Sequence, residues 1–223
     1  MSERSKVVVF GVNAFARMIA AGFEAYGERR VVAHAVHERF LTEPQIGSKP
    51  AVAFETLAEH FDPAEHEIFV AIEHARQNAA RGEILDAAQR LGYLPASLIS
   101  PGAQIAEDVV LGEHCLVLEN AVIQFGARMG RNNFLFAHSF FGQDTRVGDH
   151  NYFGSGFFAD RNVTIGSFST FGSKVRVAES VRVHDWTFVK PFHDVNETLS
   201  EPTFIHAALR APGRVVDRRT SRP

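Results

Sequence analysis

Four polar side chains between residues 138 and 150 have the chemistry of a proton-transfer site: His138, Gln143, Asp144 and His150. Imidazole titrates near neutral pH, so a histidine can take a proton from an amine or a hydroxyl group. Asp144 can orient a base or an acceptor amine, and Gln143 can hold a carbonyl or an amide. We take these four as candidate catalytic residues, with His150 as the preferred base. The alternative for each is an ordinary solvated or turn residue.

The segment that must position these residues repeats with a period of six. An apolar residue recurs at every sixth position from Ile99 to Val189, and the residue after it is often glycine. This is the hexapeptide signature of a left-handed parallel β-helix, an all-β fold in which three hexads form one triangular coil. Each coil buries its inward side chains only by stacking on its neighbours. The recurring residues are Ile99, Ile105, Leu111, Val117, Ile123, Met129, Leu135, Phe141, Val147, Phe153, Ala159, Ile165, Phe171, Val177, Val183 and Val189.

The same register predicts three flat faces. Side chains alternate along a strand, so the residue before each inward one points outward. Two faces are then aromatic or apolar (faces A and B) and one is basic and polar (face C). Exposed aromatic ladders are usually interfaces, and two such faces meeting at one edge suit a three-fold assembly, so we expect a homotrimer. The ladders are Leu116, Phe134, Tyr152 and Phe188 on face A, Val122, Phe140 and Phe158 on face B, and Arg128, Arg146, Thr164 and Arg182 on face C.

The edges between these faces carry the candidate site. Each edge is named by the two faces that meet there. In a trimer that packs face A of one subunit on face B of the next, edge CA of the first approaches edge BC of the second and forms an inter-subunit cleft. We expect Gln143 and Asp144 from one subunit to face His150 and His114 from the next, with Arg146 nearby. His138 falls on edge AB, near the expected three-fold axis. The edge residues are Asn120 and His138 (edge AB), Gln143 and Asp144 (edge BC), and His114, Asn132 and His150 (edge CA).

The first half of the chain reads as a small α/β domain. Buried strands are predicted over Lys6–Phe10, Arg30–Val36 and Glu67–Ile72, and helices over Ala14–Tyr26 and Ala75–Leu91. This alternation implies a small, doubly wound, Rossmann-like sheet. Ligands of such sheets bind at the carboxyl ends of the strands, which makes Gly11 and Asn13 candidate substrate-binding residues. The first turn has one glycine where the dinucleotide fingerprint has three, so a packing domain is the alternative to a nucleotide site.

The chain resembles the bacterial sugar O- and N-acyltransferases, which include the sialic acid O-acetyltransferase-like and the amino-sugar-nucleotide N-acetyltransferase-like proteins. The resemblance covers about residues 6–190. It rests on the α/β domain, on the segment LISPGAQI that leads into the β-helix, and on Val70–Asn78. The family's base lies in a His-Asp/Glu-Cys/Ser-x-Ile/Val-Gly motif, and the matching stretch begins at Gln143, so glutamine replaces the usual histidine. Likewise, the family's Gly-x-x-x-His-Gly turn matches a stretch that ends in Phe15-Ala16.

The resemblance implies an acyltransferase of the EC 2.3.1 type. It would use acetyl-CoA or another acyl-CoA as co-substrate and act on an amine or hydroxyl of a sugar or nucleotide sugar, between the subunits of a homotrimer. Substrate-binding candidates are then Gly11, Asn13, His114 and Tyr152. Cofactor-binding candidates are Arg146, Arg161, Phe168 and Trp186, the last two forming an apolar wall for the pantetheine arm or the acyl chain.

Composition narrows the class of protein. The formal net charge is −3, no apolar run is long enough for a membrane span, and the N-terminus lacks a signal-peptide pattern. We therefore expect a cytoplasmic protein that binds neither nucleic acid nor membrane. The single cysteine, Cys115, excludes an intramolecular disulfide framework. We predict an α/β domain over 1–97, the β-helix over 98–195 and a C-terminal extension over 196–223.

Two other functions stay open. The first is a descendant that has lost acyl transfer and binds a ligand or performs different small-molecule chemistry, which the loss of both family motifs favours. The second is a metal-dependent enzyme, since β-helix carbonic anhydrases bind zinc through three histidines, two of them five residues apart. Here His138 would pair with Gln143, which breaks that pair, so we predict no metal site.

Overall fold

The computed structural model describes residues 5–26 and 29–206. The chain forms two compact units, and each is described by itself. The first unit contains the described residues up to 101 together with 113–116, and the second contains 102–112 and the described residues from 117 onwards. Among the described residues, none of the helices has the length and hydrophobicity needed to cross a lipid bilayer.

The first unit is built on a six-stranded sheet of order β3-β4-β2-β1-β5-β6. Its pairs are parallel except for the short hairpin between β3 and β4. Parallel strands of this kind are buried and apolar, as in the run of Val7, Val8 and Val9. The strands are β1 (Ser5–Phe10), β2 (Arg29–Val36), β3 (Gln45–Ile46), β4 (Lys49–Ala53), β5 (His66–Val70) and β6 (Leu94–Pro95), followed by β7 (Leu98–Ile99).

The described residues between these strands form three α-helices and two 3₁₀ turns. The helices are α1 (Ala14–Tyr26), α2 (Leu57–His60) and α3 (Ala79–Arg90), and the turns are Glu38–Phe40 and Phe54–Thr56. Helix α1 buries Phe15, Ala16, Ile19 and Phe23, which share one helical face. The Oδ1 atom of Asn13 accepts the Ala16 N–H at 2.9 Å and caps the first turn.

The predicted start of the last helix, at Ala75, is wrong. Arg76, Gln77 and Asn78 have φ values of 50°, 49° and 68°, which lie in the left-handed region. Because such residues cannot continue a right-handed helix, α3 begins at Ala79. The sequence analysis also missed β3, β4, β6 and α2, all of which are short.

The second unit is three parallel sheets stacked as in a left-handed β-helix, and the predicted register is confirmed. On face B, Val122 pairs with Phe140 and Phe140 with Phe158, while on face C, Arg128 pairs with Arg146. The strands are Leu116–Val117, Phe134–Leu135, Tyr152–Phe153, Thr170–Phe171, Phe188–Val189 and Phe204–Ile205 (face A), Gln104–Ile105, Val122–Ile123, Phe140–Phe141, Phe158–Ala159, Arg176–Val177 and Asp194–Val195 (face B), and Val110–Leu111, Arg128–Met129, Arg146–Val147, Thr164–Ile165 and Arg182–Val183 (face C). The ladder on face A continues to Ile205. Within the predicted extension, residues 207–223 lie outside the described residues.

Phenylalanine rings fill the interior of the β-helix. Phe153 is fully buried, and its ring lies 5.0 Å from that of Phe141, 4.7 Å from that of Phe157 and 5.4 Å from that of Phe171. Rings at these separations pack in the edge-to-face and offset arrangements that aromatic pairs prefer. Of the 20 phenylalanines in the chain, 13 lie between Phe125 and Phe204, and this core partly explains their number.

A polar ladder runs beside these rings. Asn133, Asn151, Ser169 and Thr187 are each fully buried and lie 18 residues apart. The Oδ1 atom of Asn133 accepts the backbone N–H of Asn151, and the Oδ1 atom of Asn151 accepts that of Ser169. The Asn151 Nδ2 group also donates to the carbonyl of Gly166 at 2.9 Å. Each side chain therefore satisfies polar backbone atoms of the next coil, which fixes the stacking of coils.

Replacing Asn151 with alanine is expected to lower the free energy of unfolding by about 1–3 kcal/mol, because buried donors and acceptors lose their partners. The Ser169 N–H and the Gly166 carbonyl are the groups affected. Urea unfolding followed by circular dichroism measures the effect. Asn196→Ala, at an exposed asparagine of the same unit, is the matched control and should change stability little. Equal midpoints for the two variants would contradict a structural role for the ladder.

Candidate functional site

A cleft of about 760 Å³ opens in the first unit at the carboxyl ends of its parallel strands. Phe10 ends β1, Val36 ends β2 and Ala71 follows β5, and all three line the cleft. Gly11 and Asn13 line it too, so the two residues predicted from the first turn lie where a ligand of a doubly wound sheet would bind. The volume is in the range of small-molecule sites.

Gly11 is needed for the close packing of this turn. Its φ is 134°, and a Cβ atom placed there would lie 2.9 Å from the Cβ of Ala16 and 3.1 Å from the carbonyl oxygen of Ala71. A side chain would push the turn away from the neighbouring strand. One glycine, in place of the three of the dinucleotide fingerprint, therefore brings β1, α1 and the end of β5 together.

One wall of the cleft is the left-handed segment before α3. The Arg81 side chain is fully buried, and its Nη1 group donates to the carbonyl oxygens of Ile72 (3.2 Å) and Glu73 (2.5 Å). It also lies 3.3 Å from Oδ1 of Asn78, the last left-handed residue. Arg81 thus holds the backbone that lines the cleft between residues 72 and 76.

A histidine–glutamate pair that was not predicted from the sequence lies at the cleft. His37 lines the cleft, and its Nδ1 lies 2.8 Å from Oε1 of Glu55. The register of β2 with β4 explains the pair: Val36 is paired with Ala53, so the residues just beyond each strand meet. Desolvation alone would raise the pKa of Glu55, but hydrogen bonds from His37 and from the Glu38 N–H hold that pKa below its usual value. A prediction of strand β4 paired with β2 would have revealed that His37 and Glu55 meet.

Edge BC of the β-helix presents the candidate residues Gln143 and Asp144, and face C beside it presents Arg146; all three are exposed. Asp144 has a φ of 58°, and its carboxylate lies over Gly126 of the coil below. The Arg146 guanidinium donates to the Gly126 carbonyl. These side chains are open to a ligand, and Gln143 supplies hydrogen bonds but no site for a proton.

Arg161, a candidate cofactor-binding residue, is also exposed on this edge. Its Nε lies 2.8 Å from Oε1 of Glu179 in the coil above. The hydrogen bond and the charge of Glu179 raise the pKa of the Arg161 guanidinium. A phosphate would have to compete with this carboxylate for Arg161.

Edge CA carries a column of stacked rings. The ring centroid of His150 lies 4.5 Å from that of Phe168, which lies 4.4 Å from that of Trp186, with interplanar angles of 9° and 4°. Trp186, the third ring of this stack, is 41% exposed. Phe168 and Trp186 thus form a stacked aromatic surface on this edge, and a cofactor-binding role for that surface stays a prediction.

His150, the predicted base, is largely covered in the structure. The side chain is only 5% exposed, and Nδ2 of Asn132 donates to its Nδ1 at 2.7 Å. His150 keeps the predicted place on edge CA, but it is packed into the ring column rather than open to a cleft.

His114, a predicted substrate-binding residue, is covered within the first unit. It is fully buried in the first unit, where its ring stacks on Phe69 at 4.7 Å and its Nε2 accepts the Val70 N–H at 2.8 Å. The imidazole therefore supports the end of β5. The position of His114 in its hexad did not predict this burial, because Val70, which it contacts, lies 44 positions earlier in the chain.

The other two candidates lie on different parts of the β-helix. His138 is exposed on edge AB, with a φ of 62°. Tyr152 is half-buried on face A, with its ring 4.8 Å from that of Phe136. Within the part of the chain that the structure describes, no group of three His, Cys, Asp or Glu side chains is placed to hold a metal ion.

Comparisons with known proteins identify the fold. No protein-family model matches the chain, and no curated protein is detectably similar in sequence. Among solved structures, the acetyltransferase domain of PglB from Neisseria gonorrhoeae superimposes with a TM-score of 0.79 at 19% identity, over 90% of this chain and 96% of that one.

Two further structures are similar over most of their length. PerB from Caulobacter crescentus, solved with CoA and GDP-perosamine, has a TM-score of 0.77 at 22% identity, over 87% of this chain and 90% of its own. WeeI from Acinetobacter baumannii has a TM-score of 0.75 at 14% identity, over 86% of this chain and 92% of its own. At these identities the likeness establishes the left-handed β-helix fold and leaves activity to be argued from the site.

Proposed function

We propose that this protein is an acyltransferase that moves an acyl group from acyl-CoA to an amine or a hydroxyl of a sugar or nucleotide sugar. One observation carries the proposal. An α/β unit with an open cleft precedes an uninterrupted β-helix, and the proteins that share this architecture over at least 90% of their length include acetyltransferases, one of them solved with CoA and a nucleotide sugar. We propose domain boundaries at 1–97 and 98–195, an extension over 196–223, and a cytoplasmic location.

In this proposal the cleft of the Rossmann-like first domain holds the nucleotide part of the substrate. Gly11 permits close approach of the backbone, and Asn13 lies at the start of α1. The volume of about 760 Å³ accommodates a ligand of that size. Arg81 acts on this site indirectly, by holding the backbone of its wall.

The acyl donor would bind to the β-helix of a homotrimer. On face B the rings of Phe140 and Phe158 stack at 4.5 Å and Phe158 is 37% exposed, so such an assembly would cover this ladder. On face A, Leu116 and Phe134 are already buried within the chain, and Tyr152 and Phe188 are the partly exposed members of the ladder. Trp186 and Phe168 supply an apolar wall for the pantetheine arm, and Arg146 and Arg161 supply positive charge for phosphates.

The reaction would be direct attack of the acceptor on the thioester carbonyl. Backbone N–H groups of the coils would stabilise the oxyanion, and the CoA thiolate would leave as the new amide or ester bond forms. Gln143, in place of the family's histidine, would hold a carbonyl or an amide, and Asp144 would orient the acceptor. A base other than Gln143 must take the proton of the acceptor. The candidates are His150, which faces Gln143 and Asp144 in the proposed trimer but is only 5% exposed, and His138, which is exposed but lies on edge AB.

Acetyl-CoA is expected to stabilise the purified protein, by about 2.7 kcal/mol at a concentration 100-fold above its Kd. Adding an amino-sugar nucleotide should then release free CoA thiol, which a thiol-reactive dye detects; the buried Cys115 adds little background. A reaction without acceptor controls for hydrolysis. Neither stabilisation nor thiol release, across a panel of amine and hydroxyl acceptors, would overturn the proposal.

The replacement of the family's histidine by Gln143, together with the burial of His150, favours one alternative. In that alternative the chain has kept the ligand sites of a sugar acyltransferase but no longer transfers an acyl group. Stabilisation by acetyl-CoA or by a nucleotide sugar, without thiol release from any acceptor, would be its signature.

A further inference from the structure

His37 is held in a fixed orientation at the cleft. Its Nδ1 lies 2.8 Å from Oε1 of Glu55, whose other oxygen accepts the N–H of Glu38 at 3.0 Å. The imidazole also packs edge-on against Phe10 and Phe54, with ring centroids 5.6 Å and 6.0 Å away. A carboxylate on one nitrogen and two rings against its faces and edges leave this imidazole little freedom to rotate.

This arrangement suits recognition of a hydroxyl group. With Nδ1 bound to the carboxylate, the hydrogen-bonding capacity of His37 toward a ligand is that of Nε2. A neutral ring that donates Nδ1–H to Glu55 accepts at Nε2, and a protonated ring donates there. A hydroxyl group is both donor and acceptor, so it can pair with either form.

The charged groups around the cleft favour a hydroxyl over a phosphate at this position. Arg76 is bound to Glu83, and the guanidinium of Arg39 lies over the ring of Phe40, 4.7 Å from its centroid. Glu73 adds a further carboxylate to the lining. The lining therefore balances its positive charges with negative ones.

The position of His37 in the fold indicates which hydroxyl group of a ligand it would bind. His37 directly follows β2, where dinucleotide-binding α/β domains place a carboxylate that hydrogen-bonds a ribose hydroxyl. Here the carboxylate of Glu55 stands behind an imidazole instead. Phe40, which is 53% exposed, and the Arg39 guanidinium over its ring line the same cleft, and both are flat groups on which a base can stack.

We propose that His37, oriented by Glu55, recognises a ribose hydroxyl of the nucleotide bound in this cleft and makes the site selective for ribonucleotides. The proposal rests on the proposed function, because it takes a nucleotide to be the ligand of the first unit. His37 is the residue that contacts the ligand, and Glu55 is a positioning residue.

The test is calorimetric titration of the full chain with UDP and GDP and with their 2′-deoxy and 3′-deoxy counterparts. The wild type should bind a ribonucleotide about 10-fold more tightly than at least one deoxy form, which is the effect of one hydrogen bond. His37→Ala should reduce that ratio to about 1, and Glu55→Gln should give an intermediate ratio. A general loss of structure would weaken ribo and deoxy forms alike and leave the ratio unchanged.

His60→Ala and Glu59→Gln, at exposed positions of α2, are the matched controls and should keep the wild-type ratio. An unchanged ratio in His37→Ala, a wild-type ratio of 1, or no nucleotide binding would each overturn the inference. The titration contains no acyl-CoA, so it is independent of turnover. Thiol release without ribose selectivity would contradict this inference alone. Ribose selectivity without thiol release from any acceptor would contradict the acyltransferase proposal alone.

Discussion

Replacing Gln143 with histidine is expected to raise kcat/KM for acyl transfer by about 10²-fold or more, the usual contribution of a positioned general base. The glutamine amide has no site that takes a proton at neutral pH, whereas imidazole does. Position 143 is exposed on edge BC and is followed by the exposed carboxylate of Asp144, which can orient a new imidazole. His138 lies on a different edge of the coil, so it does not substitute for a base at position 143.

The increase should depend on the neighbouring carboxylate. Adding Asp144→Asn to Gln143→His should remove a large part of the gain, because the imidazole loses its orienting partner. Gln124→His, an exposed position of the same edge one coil below, is the matched control and should leave kcat/KM unchanged. Initial rates of thiol release at several acceptor concentrations separate kcat from KM.

Two results would speak against this expectation. If Gln143→His binds acetyl-CoA but transfers no faster than the wild type, a missing base at position 143 is not what limits the reaction. If neither protein transfers an acyl group to any acceptor, the non-acylating alternative gains support. His138→Ala in the wild-type background distinguishes a slow reaction that uses His138 from one that draws on solvent.

Phe153→Ala is expected to lower the free energy of unfolding by about 3–5 kcal/mol, the cost of removing a fully buried phenylalanine ring. The ring of Phe153 contacts three others, those of Phe141, Phe157 and Phe171. Coils above and below are tied by backbone hydrogen bonds, so the cavity can close only partly. Such a loss is a large fraction of the stability of a typical domain.

Urea unfolding at one fixed protein concentration measures this effect, because the stability of an oligomer depends on concentration. Phe125→Ala is the matched control: the same truncation at a ring that is 60% exposed should cost far less. Where Phe153→Ala is too unstable to purify, Phe153→Leu keeps most of the volume and should show a smaller loss. Similar losses for Phe153→Ala and Phe125→Ala would mean that the four-ring cluster does not stabilise the helix.

Much of the structure of the second unit was predictable because one sequence spacing governs all of its coils. In a β-helix every hexad has the same relation to the next, so an apolar residue at every sixth position determines which side chains point inward and which coil lies on which. The pairs Val122–Phe140 and Arg128–Arg146 follow from the spacing of 18 alone. In the first unit, the continuous apolar strands and the cleft at Gly11 were predictable for a similar reason, since parallel strands are buried on both faces and end at a common edge.

The tertiary structure decided what each candidate side chain is able to do. Hexad position placed His150 on an edge, but only the packed ring of Phe168 and the amide of Asn132 show that its side chain is covered. His37 and Glu55 are 18 residues apart and meet because β2 pairs with β4. Periodicity reports the direction of a side chain relative to its own strand. Burial, protonation and partners depend on residues brought from elsewhere in the chain, and only the fold specifies those.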